Sequence, residues 1–383
     1  MEIEVVRELE RLAQLKSEWN AAVESSGFDS IFQTHEWFYA WAKNFAHSDA
    51  LNIVVARNNG QICGIMPLMR ERRGAGPWAI TVLRSMSNLQ SYKYGFVLPR
   101  ENSGEILESM LRLMRDDSDW DLMILEYLPH DGQLAGLFGQ LQRDGIIGAR
   151  DEIQMESPYV AIEGTWDEYA GARDKKVRKN WDYFERRLEK EGSVRLVEVS
   201  GGADLENRVR QAFEIEKASW KGEHGSAIGA SSSISAFYLD LASAMSERNN
   251  FRLCFLELDG KSIAFDYCLP YKRAFNVLKT GYDPAYSKNS PGRVLRKTVL
   301  RSLFQDGNYS IYDLLGVGES WKEEWTEKVQ PLSRVRLYNR KPAALASYAA
   351  ARAIDRAKNV LRRHPRIFSA VKRLHMKLTG SGS

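Results

Sequence analysis

Cysteine is scarce. The 383-residue chain has three (Cys63, Cys254 and Cys268), and no two form a C-x-x-C pair. This excludes a disulfide scaffold and a Cys-based zinc site, so no metal is expected, and it suits a reducing compartment. No run of about 18 uncharged apolar residues occurs, so no helix is expected to cross a bilayer. The chain opens MEIEVVRELERLAQL, with acidic residues where a secretory signal needs a basic head and an apolar run. It is therefore expected in the cytoplasm, with any membrane contact at the inner face. With 11 Pro and 28 Gly, collagen-like and Pro-rich classes are excluded. Neither G-x-G-x-x-G nor G-x-x-x-x-G-K-[ST] occurs, so the usual dinucleotide and P-loop sites lack their signature.

What is present is ordinary for a folded protein: 44% hydrophobic and 27% charged residues. The length allows two or three domains. The net charge of +4 hides an asymmetry, because residues 340–383 carry eleven Lys/Arg against one acid, Asp355, a balance of +10 that leaves −6 for the rest. The acidic body gives no reason to expect DNA. The tail can meet something anionic. Beyond Pro365, Ile367, Val371, Leu374 and Leu378 form an apolar stripe opposite Arg366, Lys372, Arg373 and Lys377. Residues 343–378 are thus expected as a basic amphipathic helix for an anionic membrane surface, with docking on the acidic body as the competing reading.

A weak internal repeat organises the body. LNIVVARNNGQICGIMPLM (51–69) and FRLCFLELDGKSIAFDYCL (251–269) each read as strand, Asn-Gly or Asp-Gly turn, strand. Two related α/β halves with mixed sheets are expected, over 1–160 and 161–340, with a basic tail over 341–383. In the first half, helices are expected at 8–24, 36–45, 103–116 and 131–144, with strands near 78–84, 93–98, 120–127 and 152–162. In the second, a long charged helix over 166–191 precedes strand 194–199, helices 203–220 and 233–248, the hairpin, strand 273–282, helix 291–306, and strands 309–315 and 333–339. The charges of 173–190 are mixed enough to favour a solvated, salt-bridged face, with a grip on phosphates or tRNA, or on a coenzyme 3′-phosphate, as the alternative.

In RAFNVLKTGYDPAYSKNSPGRVLRKTVL (273–300), a strand, a polar loop and a helix follow one another. Ser290 is a candidate N-cap and Pro291 suits the first helical position. The helix N-terminus offers unpaired N–H groups and a positive dipole end to a phosphate, with Arg293 and Arg296 at hand. An ordinary capped helix is the alternative.

These segments resemble the CelD/BcsL group, the BioF2-like acetyltransferase family of the GNAT superfamily, which is related to the FemABX peptidyltransferases. The resemblance rests on Tyr282-Asp283, Ser290-Pro291-Gly292, Asp313 followed by Gly316, and Lys322 before Trp325. Its sharp part covers 160–326. It implies a double GNAT-like fold and acyl transfer to an amine, with acyl-CoA as co-substrate rather than a tightly bound cofactor. It implies a donor pyrophosphate on 290–293 (Ser290, Gly292, Arg293, with Arg296 near) and substrate contacts at Trp220, Lys221, Asp283 and Lys322. The usual Gln/Arg-x-x-Gly-x-Gly/Ala signature is reduced to Gly292. Glu216, Trp220, Lys221 and Gly222, followed by Gly225–Ile228, resemble a subset linked to bacterial ceramide synthesis, which implies a lipid amine such as a sphingoid base. An amino sugar of a cell-surface polysaccharide is the other acceptor implied. Aminoacyl-tRNA-dependent transfer, as in FemABX proteins, and a non-catalytic scaffold are the rival readings.

The residues give their own candidates. Val209, Phe213, Glu216 and Trp220 share one helical face, so Glu216 should be desolvated, with a raised pKa, and fit to take a proton from an ammonium. A structural ion pair with Lys217 or Arg210 is the alternative. Strict alternation along 273–283 puts Phe275, Val277, Lys279, Gly281 and Asp283 on one face. Lys279 among apolar residues points to an anionic partner, Glu216, Asp266 or substrate, with a strand-edge lysine whose head reaches water as the alternative. Asp313 is a second candidate base or the group that orients the amine, with an Asp accepting backbone hydrogen bonds in a turn as the alternative. Backbone N–H groups near 279–283 could receive the oxyanion, and Tyr282, Tyr286 or Tyr312 could assist the thiolate. His224 is the sole histidine in a motif-like segment, and a solvated loop histidine is its plainer reading.

Overall fold

The computed structural model describes residues 1–47, 50–76, 79–117, 120–130, 148–218 and 231–363. The first half runs β1 (Glu2–Val6), α1 (Leu9–Gln14), α2 (Lys16–Glu24), α3 (His35–Phe45), β2 (Ile53–Asn58), β3 (Gln61–Met66), β4 (Leu68–Arg73), β5 (Ile80–Ser85), α4 (Ser103–Asp117), β6 (Leu122–Pro129) and β7 (Gly148–Ala161). The second runs α5 (Trp166–Gly171), α6 (Lys175–Glu189), β8 (Val194–Val199), α7 (Leu205–Ala218), α8 (Ser232–Ser246), β9 (Arg252–Leu258), β10 (Lys261–Tyr271), β11 (Ala274–Tyr282), α9 (Pro291–Asp306), β12 (Ile311–Asp313), α10 (Ser320–Glu323), β13 (Val329–Tyr338) and α11 (Pro342–Arg363).

The strands build a three-stranded sheet, β1-β2-β3, and a ten-stranded mixed sheet in the order β4-β5-β6-β13-β7-β12-β11-β10-β9-β8. This is the mixed α/β fold expected. The repeat is visible in its turns: Asn59 and Gly60 (φ 50° and 80°) match Asp259 and Gly260 (φ 48° and 81°). Both hairpins take the turn with two positive φ values, which suits right-twisted strands. One topological feature has no trace in the sequence. Strand β13, at the end of the second half, pairs with β6 on one side and β7 on the other, so the sheet is continuous across residue 160.

Several expected elements differ. The helix over 8–24 breaks at the buried Leu15, which caps α1 and opens α2. The single helix over 166–191 is two, because Asp174 accepts from Lys176 N at 2.6 Å and starts α6 afresh. Residues 93–98 form no strand, only the bridge Ile65↔Val97. Their carbonyls are satisfied elsewhere, Phe96 O by Gln33 Nε2 at 2.7 Å and Leu98 O by Gly27 N at 3.0 Å. The strand over 309–315 shrinks to Ile311–Asp313. The helix expected at 131–144 lies outside the described residues. So do residues 364–383 of the tail; the described α11 packs on the sheet through Ala344 and through Tyr348, whose ring lies 5.0 Å from that of Tyr338.

Two cores clasp the second-half sheet. Strand β10 is buried along nearly its whole length, as expected of a central strand covered on both faces. On one face α9 packs Val294, Leu295 and Val299 against Val277 and Phe275, and Trp181 stacks on Trp325 at 4.6 Å. On the other face lie Phe213, Phe237, Tyr238 and Tyr267, continuous with the first-half core through α3, where Trp37 meets Phe237 at 5.5 Å.

Two predictions follow from this packing. Trp325→Ala should cost about 3–5 kcal/mol in urea unfolding, while Trp181→Phe should cost under about 1.5 kcal/mol. His35 is buried, with Nε2 2.8 Å from Leu12 O, and burial pushes its pKa below the ordinary 6.5. The unfolded chain then takes up a proton that the native state refuses, so stability is full above that pH and falls below it. Urea midpoints measured at about pH 7.5 and about pH 5.5 should drop on acidification, and His35→Gln should shrink the drop.

Candidate functional site

The site begins with a fault in a strand. Strand β11 pairs Lys279 with Tyr267 but Val277 with Cys268, leaving Leu278 unmatched. Such a bulge reverses the alternation beyond it. Phe275 and Val277 therefore face α9, and Lys279 turns to the opposite core, with Nζ 5.6 Å from the Tyr238 ring centroid. The one-face alternation expected along 273–283 is corrected here. Pairing with β12 is parallel and ends at Asn276↔Asp313, so β11 runs on to Tyr282 with its β12-side edge open.

Beside that open edge lies a cavity of about 290 Å³, lined by Thr280, Gly281, Tyr282, Ser287, Ser290, Gly292, Arg293, Arg296, Trp321 and Glu324. Its outer end is the turn into α9. Ser290 takes the left-handed conformation there (φ 46°, ψ 55°), strain that a plain helix cap does not require. Its side chain does not cap the helix; its Oγ instead accepts from Arg293 Nη1 at 3.1 Å. A Cβ on Gly292 would make an ordinary van der Waals contact with Tyr282 Cδ1 at 3.8 Å, so a side chain at this wall meets no clash at its Cβ. Arg293 donates to both Glu324 oxygens, at 2.9 and 3.1 Å. Arg296, buried, lies 4.2 Å from the Trp321 ring centroid. The first-turn N–H groups of α9 and the Arg293 guanidinium make this end of the cavity fit for a phosphate or diphosphate, while Arg296 lies deeper, at the level of Thr280.

The other side is built partly from the first half. Tyr92 donates to Leu278 O at 2.8 Å, holding the bulge itself. Lys93 ion-pairs with Asp313. Asp313 also accepts from Leu315 N at 3.0 Å, and Lys322 donates to the carbonyls of Leu315 and Val317 at 2.6 and 2.9 Å. These bonds hold Leu315 in a left-handed conformation (φ 51°) that a leucine does not take unaided. Glu216 is fully buried on the Lys279 face, where its Cα is 3.4 Å from the position of a Gly281 Cβ. Burial pushes the hydroxyls of Tyr92 and Tyr238 well up, and the nearby Glu216 carboxylate adds to this. Both phenols stay protonated donors.

The expected residues divide. Ser290, Gly292, Arg293, Arg296 and Tyr282 come together around the cavity, and Glu216 and Lys279 share the opposite face. Asp283, expected at the substrate, serves the turn instead: it accepts from Ala285 N at 3.0 Å and pairs with Lys261 at 2.8 Å. Although partial burial works against it, these two bonds hold its carboxyl below the usual range. Lys322 is likewise committed to backbone carbonyls, and Asp313 to Lys93 and Leu315, rather than to a ligand. Tyr312 is fully buried against Phe275 and Tyr286 lies under Lys261, so neither reaches the cavity. Trp220, Lys221 and His224 lie outside the described residues. Tyr92, Lys93, Trp321 and Glu324 also serve the site, and no sequence motif marks them. The one signal for the first pair was a lysine beside an apolar stretch, which a solvated strand edge explains as well. Tyr92→Phe should cost about 1–3 kcal/mol by stranding the Leu278 carbonyl, and amide exchange at Lys279 and Thr280 should quicken while that of β9 is unchanged.

Residues 175–323 match the family described as acetyltransferase (GNAT) domain. Among solved structures, the chain is similar to FemX at 12% identity, covering 88% of this chain and 97% of that one, with a TM-score of 0.59. It is similar to the C-terminal domain (DUF2156) of a lysylphosphatidylglycerol synthetase candidate from Agrobacterium fabrum at 14% identity (89% and 96% covered, TM-score 0.53). It is also similar to L-PGS from Bacillus licheniformis at 12% identity (92% and 98% covered, TM-score 0.50). At these identities the likeness is one of fold. No curated protein matches the sequence at a significant level. With a matched domain that spans the bulged strand, the turn and the cavity, residues 175–323 form a GNAT-type acetyltransferase domain, and the protein is an acyltransferase.

Proposed function

We propose that the protein transfers an acyl group from an acyl-CoA thioester to an amine. The observation that carries this reading is the cavity where β11 turns into α9, with helix N–H groups and Arg293 at one end and the open strand edge leading from it toward the bulge. A diphosphate on the turn would let the extended thioester arm run along β11, with its carbonyl arriving near Leu278 and Lys279. The amine would approach from the opposite face. There Glu216 takes its proton, and the bulge backbone and Lys279 receive the oxyanion. No cysteine nucleophile is needed, and burial pushes the Cys63 and Cys268 thiols up, away from the reactive thiolate.

Exposed apolar residues near the Tyr92 contact suit an acceptor with an apolar portion. Leu89 is 87% exposed and Val317 53%. Each flanks the bulge contact: Leu89 precedes Gln90, which accepts from the Tyr238 hydroxyl at 3.0 Å, and Val317 follows Gly316, beside the Tyr92 ring. Together with the resemblance of Glu216, Trp220–Gly222 and Gly225–Ile228 to the ceramide-synthesis subset and with the basic tail, this favours a lipid amine over an amino sugar.

Calorimetric titration with CoA and an assay of thiol release test the reading. Gly292→Val, whose Cβ meets no clash, should keep the melting temperature and weaken CoA binding at least about tenfold. Glu216→Gln should bind CoA as the wild type does and transfer at least about 100-fold more slowly. Wild-type affinity in the first variant, or full activity in the second, would overturn the corresponding assignment.

A further inference from the structure

Phosphate binding at the turn accounts for Arg293 but not for Arg296. Helix α9 carries Arg296 inward, where it is 4% exposed. Its Nη2 lies 3.5 Å from Asp266 Oδ1 and donates to Thr280 Oγ1 at 3.3 Å. Trp321 lies against it, its ring centroid 4.2 Å from the guanidinium carbon, with that of Trp325 at 6.0 Å. Its Nε is buried without a hydrogen-bond partner. Asp266 stands directly opposite Thr280 in the β10–β11 register. Arg296 is therefore fixed at the level of Thr280, between the turn and the bulge, whereas Arg293 stays at the turn with Ser290 and Glu324. The guanidinium lines the cavity and meets its buried carboxylate only at 3.5 Å, so its positive charge stays available to an anion that arrives there. At this depth the arriving charge is not the diphosphate.

We propose that Arg296 is a catalytic residue that stabilises the departing thiolate, an inference that rests on the thioester-donor reading above. The amine nitrogen attacks the thioester carbonyl carbon and the N–C bond forms. The C–S bond breaks with its electron pair going to sulfur, and the proton lost by the amine goes to Glu216. Negative charge thus appears on sulfur inside a cavity walled by tryptophan, where a fixed cation acts far more strongly than in water. Trp321 and Asp266 hold the guanidinium in one orientation, so it need not reorganise as the bond breaks. At 3.5 Å, Asp266 anchors the group without saturating it.

Arg296 and Asp266 form a buried charge pair, and removing one charge alone unbalances it, so both are removed together in Arg296→Gln/Asp266→Asn. Two quantities are read: the CoA dissociation constant by calorimetry, and the single-turnover rate of transfer from acetyl-CoA. The expected result is a rate loss of about 100-fold or more, a dissociation constant within about threefold of wild type, and partial rescue of the rate by added methylguanidinium. If that variant does not fold, Arg296→Lys carries the test, with an expected rate loss of about tenfold and unchanged CoA affinity. A dissociation constant that weakens in step with the rate would make Arg296 a donor anchor and overturn the proposal, as would an unchanged rate. Failure of the wild type to use any acyl-CoA would remove the thioester reading itself, and this proposal with it.

Discussion

The unmatched residue in β11 is the constraint on which the second half depends. With regular pairing, Lys279 would point into the α9 core beside Val277, and β11 and β12 would have no reason to part after Asn276. The extra residue at Leu278 turns Lys279 and Gly281 toward Glu216 and leaves the β12-side edge of β11 open. An open strand edge inside a protein must be satisfied by something. Here Tyr92 takes the bulge carbonyl, and the cavity occupies the space farther along.

This explains why the two halves cannot be treated apart. Tyr92 and Lys93 come from the first half, yet one secures the bulge and the other fixes the Asp313 end of β12. In the other direction, β13 returns from the second half to complete the first-half sheet. Helices α3 and α8 seal the junction with aromatic contacts such as Trp37 on Phe237. Backbone strain collects in the same region, at Ser290 on the turn and at Leu315 behind Asp313, and each is held by a side chain of its own neighbourhood.

Much of this was legible in the sequence because it is local. The Asn-Gly and Asp-Gly turns, the 2-residue period of the hairpins, and Ser-Pro-Gly at the head of α9 each fix structure within a few residues, and the boundaries of α9 were read directly. The apolar face of α7 correctly marked Glu216 as buried. The rest was hidden because it is non-local. A bulge leaves no mark on composition, so Lys279 was placed on the wrong face. Asp283 and Lys322 looked like ligand contacts because nothing in the chain reveals that Lys261 and two carbonyls already hold them. Tyr92 and Trp321 lie far in sequence from the turn they serve. Pairings of this kind are set by tertiary packing and can only be seen once the chain is folded.

The central claim is that the donor enters between the bulged end of β11 and the segment that follows β12. A crystal structure of the full chain with a non-hydrolysable thioether analogue of acyl-CoA tests it most directly. The account predicts the diphosphate against the N–H groups of the Ser290–Arg293 turn, the pantetheine arm along Thr280, and the sulfur between Arg296 and the Leu278 bulge. A ligand bound in the first half, in the open cavity near Trp41 and Arg84, or one whose sulfur lies at the turn and whose diphosphate lies at the bulge, would contradict it.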